Sequence, residues 1–320
     1  METIVTWLVV VGIILFFVLP YIRKTKQNAQ LSLQTKERSK QLGADKPTVQ
    51  HPQINLSLCI GCGTCVRKCP EGTVLGLVGG KSTIINGANC KGHGRCEASC
   101  PVGAITIGLG DTSKRTDIPF VDANQQTSIA GIYIAGELGG FALIRNAVNQ
   151  GKAIIKQLKP PLPKTPDLFD VIIIGGGPAG IAAALGAIEN QLSYLLIDQQ
   201  GIGGTVRQYP REKLVLTDLV ELPLYGKLTR SEYAKEELIQ LWETIHDQYK
   251  LHSVLSKKLF NVVRQDDGVF DVRVTDINDP KMISRYKAQN IILALGRRGN
   301  EIALLKKIGI RFGAENDHDK

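Results

Sequence analysis

No cysteine occurs outside residues 59–100 of this 320-residue chain. All seven cysteines lie within that block, at Cys59, Cys62, Cys65, Cys69, Cys90, Cys96 and Cys100. An odd number of cysteines in one short block does not suit a disulfide framework, and it indicates metal ligation instead. The same block indicates a reducing compartment, because free thiols persist where disulfides are kept reduced.

Aromatic residues are scarce, at 6% of the chain, and they are missing where positive charge collects. The chain has 39 basic and 30 acidic residues, a net charge of +9, and residues 23–50 hold seven basic residues against two acidic ones. A surface for single-stranded nucleic acid interleaves basic and aromatic side chains. This composition therefore argues against a nucleic-acid partner and favours a membrane surface.

Charged residues are absent from residues 3–22, which are rich in Val, Ile, Leu and Phe. A helix of about 20 such residues is long enough to span a bilayer. Trp7 and Tyr21 lie near its ends, where aromatic rings prefer the membrane interface. A cleaved signal peptide fits less well, since Glu2 gives no basic start and no small-residue cleavage site follows. We therefore expect one N-terminal transmembrane helix.

The basic residues that follow this segment, Arg23, Lys24 and Lys26, set its expected orientation. The positive-inside rule places the N-terminus outside and residues 23–320 in the cytoplasm. The expected location is therefore the inner (cytoplasmic) membrane, with a single pass. Residues 27–52 are polar and indicate a partly helical stalk, whose lysines are either solvated or in contact with anionic headgroups.

The first cysteine run, from Cys59 to Pro70, has the spacing C-x2-C-x2-C-x3-C-P. Three thiolates on such a loop can bind three corners of one iron–sulfur cubane, while the fourth points to another cluster. Gly61 and Gly63 leave backbone N–H groups free to face the sulfides. Zinc is the alternative for clustered cysteines, but zinc sites usually pair two C-x2-C units across a longer gap.

The second run, from Cys90 to Pro101, has the same spacing, with His93 in place of the second cysteine. Together the runs resemble those of bacterial two-cluster ferredoxins over residues 54–108. The resemblance implies a small α+β ferredoxin-like domain with two iron–sulfur clusters held crosswise. Cluster A, of the 4Fe–4S type, would take Cys59, Cys62, Cys65 and Cys100, and cluster B would take Cys69, Cys90 and Cys96 with or without His93.

The substitution at His93 leaves three alternatives open for cluster B. The imidazole could bind iron, which would raise the reduction potential, as histidine does in Rieske centres. The corner could instead be empty, which would make the cluster of the 3Fe–4S type. The third alternative is that His93 only lines the site.

A strand, a glycine-rich loop and a helix follow one another after residue 168. The apolar run at residues 169–174 predicts a buried strand, and a G-x-G-x-x-G loop follows at once. This is the context of the dinucleotide fingerprint. In it Gly175 makes the tight turn, Gly177 admits the pyrophosphate and Gly180 lets the helix pack on the strand. Asp198 ends the next predicted strand, where a ribose-binding acid is expected.

Three further segments resemble conserved parts of thioredoxin-reductase-like flavoproteins, and this resemblance covers residues 117–157 and 169–310. The segments are residues 127–137, the pair Gly203 and Gly204, and residues 291–296, which end at Gly296. The resemblance implies an α/β Rossmann-like domain that binds FAD rather than NAD. The residue pattern also predicts a helix near residues 231–248 and strands at residues 260–264 and 270–274.

The segment that ends in Gly136 and Glu137 stands in an unusual place. In the family that it resembles, it holds the ribityl and phosphate region of the flavin, usually has Asp where Glu137 stands, and closes the chain. Here it precedes the glycine loop, and residues 303–310 resemble what normally leads into it. We therefore predict a circularly permuted FAD domain, with the strand ending at Gly136 beside the strand ending at Ile174. Alternatively, residues 111–157 pack beside an ordinary domain.

The sequence has no second G-x-G-x-x-G loop, which the same family uses for NADPH, and no C-x2-C pair outside the cluster runs. The cysteine count therefore excludes the disulfide-reductase reaction. Clusters carry single electrons, and a flavin accepts one or two. We expect electron transfer between FAD and two iron–sulfur clusters, in a subunit of a membrane redox complex that works with a soluble carrier, a quinone or a cytochrome.

Two other functions remain open, namely a self-contained NAD(P)H–ferredoxin oxidoreductase and a membrane scaffold that the clusters only stabilise. No catalytic side chain can be named from the sequence. The predicted organisation is a transmembrane anchor at residues 1–22, a basic linker at 23–52, a ferredoxin-like domain at 53–110 and an FAD-binding domain at 111–320.

Overall fold

The chain divides into two compact units, unit 1 over residues 1–110 and unit 2 over residues 111–320. The computed structural model describes residues 2–47, 50–109, 117–141, 143–158, 167–217, 220–296 and 301–313. Within these ranges it leaves out the side chains of residues 2–6, 8–11, 13, 14 and 216.

Unit 1 joins one long helix to a small domain of short elements. In chain order they are α1 (Glu2–Gln41), β1 (His51–Ile54), α2 (Thr64–Lys68), β2 (Leu75–Val78), β3 (Lys81–Ile84), α3 (Arg95–Ala98) and β4 (Ile105–Gly108). Strand β1 pairs antiparallel with β4, and β2 pairs antiparallel with β3. The small core combines three cysteines with aliphatic side chains: Cys65, Cys90, Cys96, Val74, Leu75 and Ile105.

The prediction of a transmembrane helix is wrong. The apolar segment does form a helix, but α1 continues through the basic stretch to Gln41, for 40 residues in all. Among the residues that the structure describes, no helix is both long and apolar enough to cross a membrane. The location and topology inferred from that segment remain predictions. The polar half of α1 packs on strand β2 of the same unit, where a Cβ at Gly76 would lie 2.6 Å from the Ser32 hydroxyl.

Unit 2 is an α/β domain. Its elements up to the first crossover are β5 (Ile132–Ile134), α4 (Ile144–Gln157), β6 (Leu168–Ile174), α5 (Pro178–Glu189) and β7 (Tyr194–Ile197). Four short strands follow, β8 (Leu214–Leu216), β9 (Glu221–Leu222), β10 (Gly226–Lys227) and β11 (Glu232–Ala234). The rest are α6 (Lys235–Gln248), β12 (Ser253–Val254), β13 (Lys257–Arg264), β14 (Phe270–Asp276), β15 (Ile283–Leu293) and α7 (Glu301–Ile308). The predicted helix and two strands of this region thus form as α6, β13 and β14.

A seven-stranded sheet forms the centre of unit 2. Four parallel strands lie side by side in the order β12, β7, β6 and β15. Strand β5 pairs parallel with the C-terminal end of β15. The N-terminal part of β15 pairs antiparallel with β14, which in turn pairs antiparallel with β13. The central strands are continuous apolar runs, such as Val171 to Ile174, because helices or strands cover both of their faces. The Rossmann-like fold that the sequence predicted is therefore present.

Helices α4 and α5 pack closely on one face of this sheet. A Cβ at Gly151 of α4 would lie 2.3 Å from the Ala179 carbonyl oxygen of α5, and a Cβ at Gly186 of α5 would lie 3.3 Å from Ile155. Side chains larger than glycine at either point would push the helices apart. The close contact sets the position of the glycine loop, since α5 begins directly after it.

Strand β5, which ends just before Gly136, belongs to the same sheet, but the strand beside it differs from the one predicted. Strand β5 pairs with β15, and β15 separates it from β6, so the strand ending near Gly136 does not lie beside the strand ending at Ile174. Strand order depends on long-range pairing that a local pattern does not specify.

The last described residues of the chain lie beside the segment that leads into β5, which is where a circularly permuted domain requires them. Phe312 bridges antiparallel to Pro119, the Phe120 N–H donates to the Arg311 carbonyl at 2.9 Å, and the Arg311 N–H donates to the Ser128 hydroxyl at 3.0 Å. The first and last described segments of the unit, at Pro119 and Phe312, therefore meet just before β5. Circular permutation stays an interpretation, and this contact is the geometry that it requires.

Candidate flavin and iron–sulfur sites

The glycine loop after β6 has no room for side chains at its first and last glycine. Gly175 has φ +119°, and a Cβ there would lie 2.3 Å from the Ala294 carbonyl oxygen. A Cβ at Gly180 would overlap the Gly175 carbonyl oxygen, at 1.8 Å. Gly177 immediately precedes α5, and its nearest neighbour would be Gly204 at 3.9 Å. The loop thus leaves backbone N–H groups at a helix N-terminus, an arrangement that binds phosphate.

Asp198 lies directly after β7, at the position predicted for a ribose-binding acid. Its side chain is 7% exposed, and it accepts hydrogen bonds from three backbone N–H groups. One carboxylate oxygen accepts from Gly176 at 2.6 Å, and the other accepts from Gln200 at 2.6 Å and Gly201 at 2.8 Å. The carboxylate therefore fixes the glycine loop to the loop after β7. Of the about four lone-pair sites on a carboxylate, one remains for a ribose hydroxyl.

The other predicted glycines converge on the same loop. The Gly203 N–H donates to the Gly176 carbonyl at 2.8 Å, and a Cβ at Gly204 would lie 2.9 Å from the Gly177 Cα. Gly296, after β15, has φ +71°, and a Cβ there would lie 3.0 Å from the hydroxyl oxygen of Thr205. Segments separated by about a hundred residues in the chain thus form one glycine-lined edge at the C-terminal ends of the parallel strands, where such sheets bind ligands.

The Gly136–Glu137 segment also reaches this edge, in a short 3-10 turn after β5. A Cβ at Gly136 would lie 3.7 Å from the Ala179 Cβ in the first turn of α5. The Gly136 N–H donates to the Gln150 side-chain oxygen at 2.7 Å, while the Glu137 side chain is exposed. Sequence reasoning missed Gln150, because only the packing of α4 on α5 brings it to this turn.

The cysteines line two separate cavities in unit 1. Cavity A is lined by Cys59, Cys62, Cys65 and Cys100 among its residues. Cavity B is lined by Cys69, Cys90, Cys96 and His93. The structure thus groups the sulfurs in the crosswise sets predicted for clusters A and B. Within the described residues, no three or more His, Cys, Asp and Glu side chains are arranged to hold a single metal ion.

Cavity A has one exposed thiol at its rim. Cys59 and Cys65 are buried, at 8% and 7% exposure, whereas Cys62 is exposed. The Cys62 sulfur lies 3.4 Å from the Thr64 hydroxyl, and this hydrogen bond lowers the pKa of the Cys62 thiol. The Cys100 sulfur accepts a hydrogen bond from the Ala104 N–H at 3.2 Å. The Thr64 contact therefore favours the thiolate form of Cys62, which is the form that binds iron.

Cavity B is electrostatically less favourable for bare thiolates. Burial raises the pKa of the Cys96 thiol to about 11, and burial also raises the pKa of the Cys90 thiol. Desolvation penalises the charged form of a thiol when no cation is close. Iron in the cavity would supply the compensating positive charge, which deprotonates coordinating thiols. The cavity therefore suits a metal cluster better than free thiolates.

His93 lines cavity B and is 12% exposed. Its Nε2 lies 3.9 Å from a carboxylate oxygen of Glu71, which lines the same cavity and directly follows the first cysteine run. Sequence reasoning missed Glu71, because an acidic residue after Cys-Pro carries no distinctive pattern. Metal-bound histidines usually have a carboxylate or carbonyl partner on their second nitrogen.

Two family models match the chain, one for each unit. Residues 51–101 match the family described as 4Fe-4S dicluster domain, and residues 172–303 match the family described as pyridine nucleotide-disulphide oxidoreductase. The chain thus contains a domain of the 4Fe-4S dicluster type over residues 51–101 and a thioredoxin-reductase-like domain of the pyridine nucleotide-disulphide oxidoreductase type over residues 172–303. These two matches confirm the two resemblances found in the sequence.

Curated relatives match only part of the chain. Ferredoxin–NADP reductase 1 of Bacillus mycoides is 32% identical over 110 residues, which are 34% of this chain and 29% of the relative. Thioredoxin reductase of Peptoclostridium acidaminophilum is 29% identical over 130 residues, which are 41% of this chain and 35% of the relative. The chain thus spans about a third of the length of these relatives.

A solved structure that is similar to part of the chain is the bacillithiol disulfide reductase of Bacillus cereus. It is 20% identical, has a TM-score of 0.36 and covers 39% of each chain. Similarity at this level carries no argument about the function of this chain.

Proposed function

We propose that this chain is an electron-transfer subunit that passes electrons between bound FAD and two iron–sulfur clusters. The observation that carries the proposal is the pairing of two cysteine-lined cavities with a glycine-lined nucleotide edge in a single chain. A bound flavin would exchange one or two electrons, whereas the clusters exchange one at a time. The chain would then connect a two-electron reaction to a one-electron pathway.

The residues of unit 2 would hold FAD by its phosphates and ribose. The loop at Gly175 and Gly177 presents N–H groups at the start of α5, a 12-residue helix whose dipole favours the negative pyrophosphate. Asp198 accepts hydrogen bonds that hold this loop in place and offers its remaining acceptor site to a ribose hydroxyl. Gly136 and Gly296 would allow the cofactor to approach the backbone closely.

The residues of unit 1 would hold a 4Fe–4S cluster in cavity A through four cysteines. In cavity B we assign three cysteines and His93 as ligands, since His93 lines the cavity and has a carboxylate near its Nε2. A neutral imidazole brings one negative charge fewer than a thiolate. Lower negative charge makes reduction easier, so cluster B would have a higher potential than its ligand spacing alone suggests.

The partner that we propose is another component of a redox complex, either a soluble one-electron carrier or quinone- or cytochrome-linked machinery. The single G-x-G-x-x-G loop supports this choice over direct use of NAD(P)H, because these 320 residues contain no second loop of that type. The alternative is a self-contained NAD(P)H–ferredoxin oxidoreductase. The name of the Bacillus mycoides relative, ferredoxin–NADP reductase 1, favours that alternative.

An anaerobic titration of the purified chain separates the two functions. Iron, sulfide and released FAD are first measured, and the protein is then titrated with NADH, NADPH, a quinol and a one-electron donor. We expect the one-electron donor to bleach both flavin and cluster absorbance, and NADH or NADPH alone to leave both unchanged. Stoichiometric bleaching by NADPH alone would establish the alternative, and zinc without sulfide would end the iron–sulfur proposal.

A further inference from the structure

Cavity A contains one polar side chain besides its cysteines, that of Ser82. Ser82 lies on β3, in the hairpin between the two cysteine runs, and is 1% exposed. Its strand neighbours Lys81 and Thr83 are only partly buried, as expected where successive side chains alternate between faces. Sequence reasoning missed Ser82, because no cysteine motif includes this hairpin.

Two atoms of Ser82 contact cysteine sulfurs of cavity A. The hydroxyl oxygen lies 3.2 Å from the Cys65 sulfur, and the backbone N–H donates to the Cys59 sulfur at 3.5 Å. The adjacent Lys81 ammonium donates to the Cys59 carbonyl at 2.5 Å, which ties the cysteine loop to the hairpin. The serine is therefore held against two of the four predicted ligands of cluster A.

The chemistry of a bound cluster fixes the direction of the hydroxyl contact. In the free thiol form, either Cys65 or Ser82 could be the donor. A sulfur that binds iron is a thiolate with no proton to donate. The Ser82 hydroxyl must then donate to the Cys65 sulfur, and the backbone N–H donates to the Cys59 sulfur in the same way.

We propose that Ser82 raises the reduction potential of cluster A by hydrogen bonding to the sulfurs of Cys65 and Cys59. Reduction adds an electron to an already negative cluster, and donors directed at its sulfurs stabilise that added charge. The inference rests on the proposed iron–sulfur function, and it identifies a residue that tunes one cluster only. Cavity B has different polar side chains, namely Glu71, Lys91, His93 and Arg95.

This role opposes the expected effect of His93. A histidine ligand raises the potential of cluster B, while Ser82 raises that of cluster A. The two potentials therefore lie closer together than the ligands alone would place them. Removing the Ser82 hydroxyl should widen the gap between the clusters.

The test is a redox titration of the full chain, followed by electron paramagnetic resonance, in the native protein and in Ser82→Ala. We expect the midpoint potential of cluster A to fall in Ser82→Ala. The midpoint potential of cluster B and the iron and sulfide content should stay unchanged. Thr83→Ala, which removes a hydroxyl from the next residue of the same strand, should move neither midpoint. Ser82→Thr, which keeps the hydroxyl, should restore the native value. Unchanged midpoints in Ser82→Ala would overturn the proposal.

A second measurement on the native protein does not depend on the variant assembling its clusters. The hydroxyl proton of Ser82 should couple to reduced cluster A, in addition to the backbone N–H protons of Ser82 and Ala104, and its signal should disappear from electron–nuclear spectra after exchange into D₂O. Spectra that contain no exchangeable coupling beyond those of backbone N–H groups would contradict the inference. Failure of the proposed function has a different signature, because native protein without iron and sulfide would overturn both proposals.

Discussion

The second position of each cysteine run shows how one residue can distinguish two otherwise matched sites. In cavity A this corner is Cys62, an exposed thiol whose pKa is lowered by the Thr64 hydroxyl. In cavity B the corner is His93, which is 12% exposed and lies near the Glu71 carboxylate. The spacing of the runs sets the shape of both loops, whereas the identity of the corner residue sets the charge. Ligand geometry and reduction potential are therefore controlled by different features of the sequence.

Removal of the clusters should have the largest effect. It should destabilise unit 1 and leave unit 2 folded. Three of the six buried residues of the unit 1 core are cysteines, so iron release leaves a small domain with little apolar core. Unit 2 has large apolar clusters on both faces of its sheet. Hydrogen exchange on iron-depleted protein should show protection lost around β1 to β4 and retained in β6, β7 and β15. Equal loss in both units would contradict this difference.

Cys65→Ala should remove cluster A and leave cluster B. The side chain is 7% exposed and lines cavity A, so its loss removes a ligand that no nearby thiol replaces within that cavity. Iron and sulfide per chain should fall by about half. Ser57→Ala, at an exposed position close to the same run, serves as the control and should keep the full content. Loss of both clusters would show that the cavities do not assemble independently.

His93→Cys should make the two clusters more alike. A thiolate adds the negative charge that imidazole lacks, so the midpoint of cluster B should fall by on the order of 100 mV. The midpoint of cluster A should stay in place. Redox titration with electron paramagnetic resonance can measure both values in one sample. If the variant leaves both midpoints unmoved, His93 is not a ligand of cluster B.

Glu71→Gln should have the smallest effect. This variant removes a negative charge from cavity B while it keeps nearly the same side-chain volume. The effect is small because the Glu71 carboxylate is 33% exposed, so solvent screens part of its charge. We expect the midpoint of cluster B to rise by about 50 mV or less. Glu97→Gln is the matched control, because Glu97 does not line cavity B and its side chain accepts a hydrogen bond from the Ile107 N–H, so this variant should move the midpoint of cluster B less than Glu71→Gln does. A fall in the midpoint potential of cluster B would contradict the prediction that the Glu71 carboxylate lowers it.

Local patterns in the sequence predicted the features that depend on neighbouring residues. The cysteine spacing indicated the two sulfur sets, and the G-x-G-x-x-G loop indicated the turn between β6 and α5. Ser82, Glu71 and Gln150 could not be found in this way. Each reaches its site through a hairpin, a turn or a helix contact that no short motif encodes.

Two longer-range expectations were wrong for related reasons. The placement of β5 beside β6 assumed a pairing that β15 prevents, since strand order follows from the whole sheet. The transmembrane span was inferred from residues 3–22 taken alone. In the structure these residues belong to a 40-residue helix that continues through the basic stretch, and no described helix has the length and apolar character to span a membrane.

In the proposed function, electrons pass between the flavin and the clusters within one chain. The most direct test is to photoreduce the bound flavin with a laser flash under anaerobic conditions. Flavin and cluster absorbance are then followed over a wide range of protein concentration. We expect the cluster absorbance to bleach as the flavin absorbance recovers, with a rate constant that does not depend on protein concentration. A rate proportional to concentration, or flavin recovery without cluster bleaching, would contradict it.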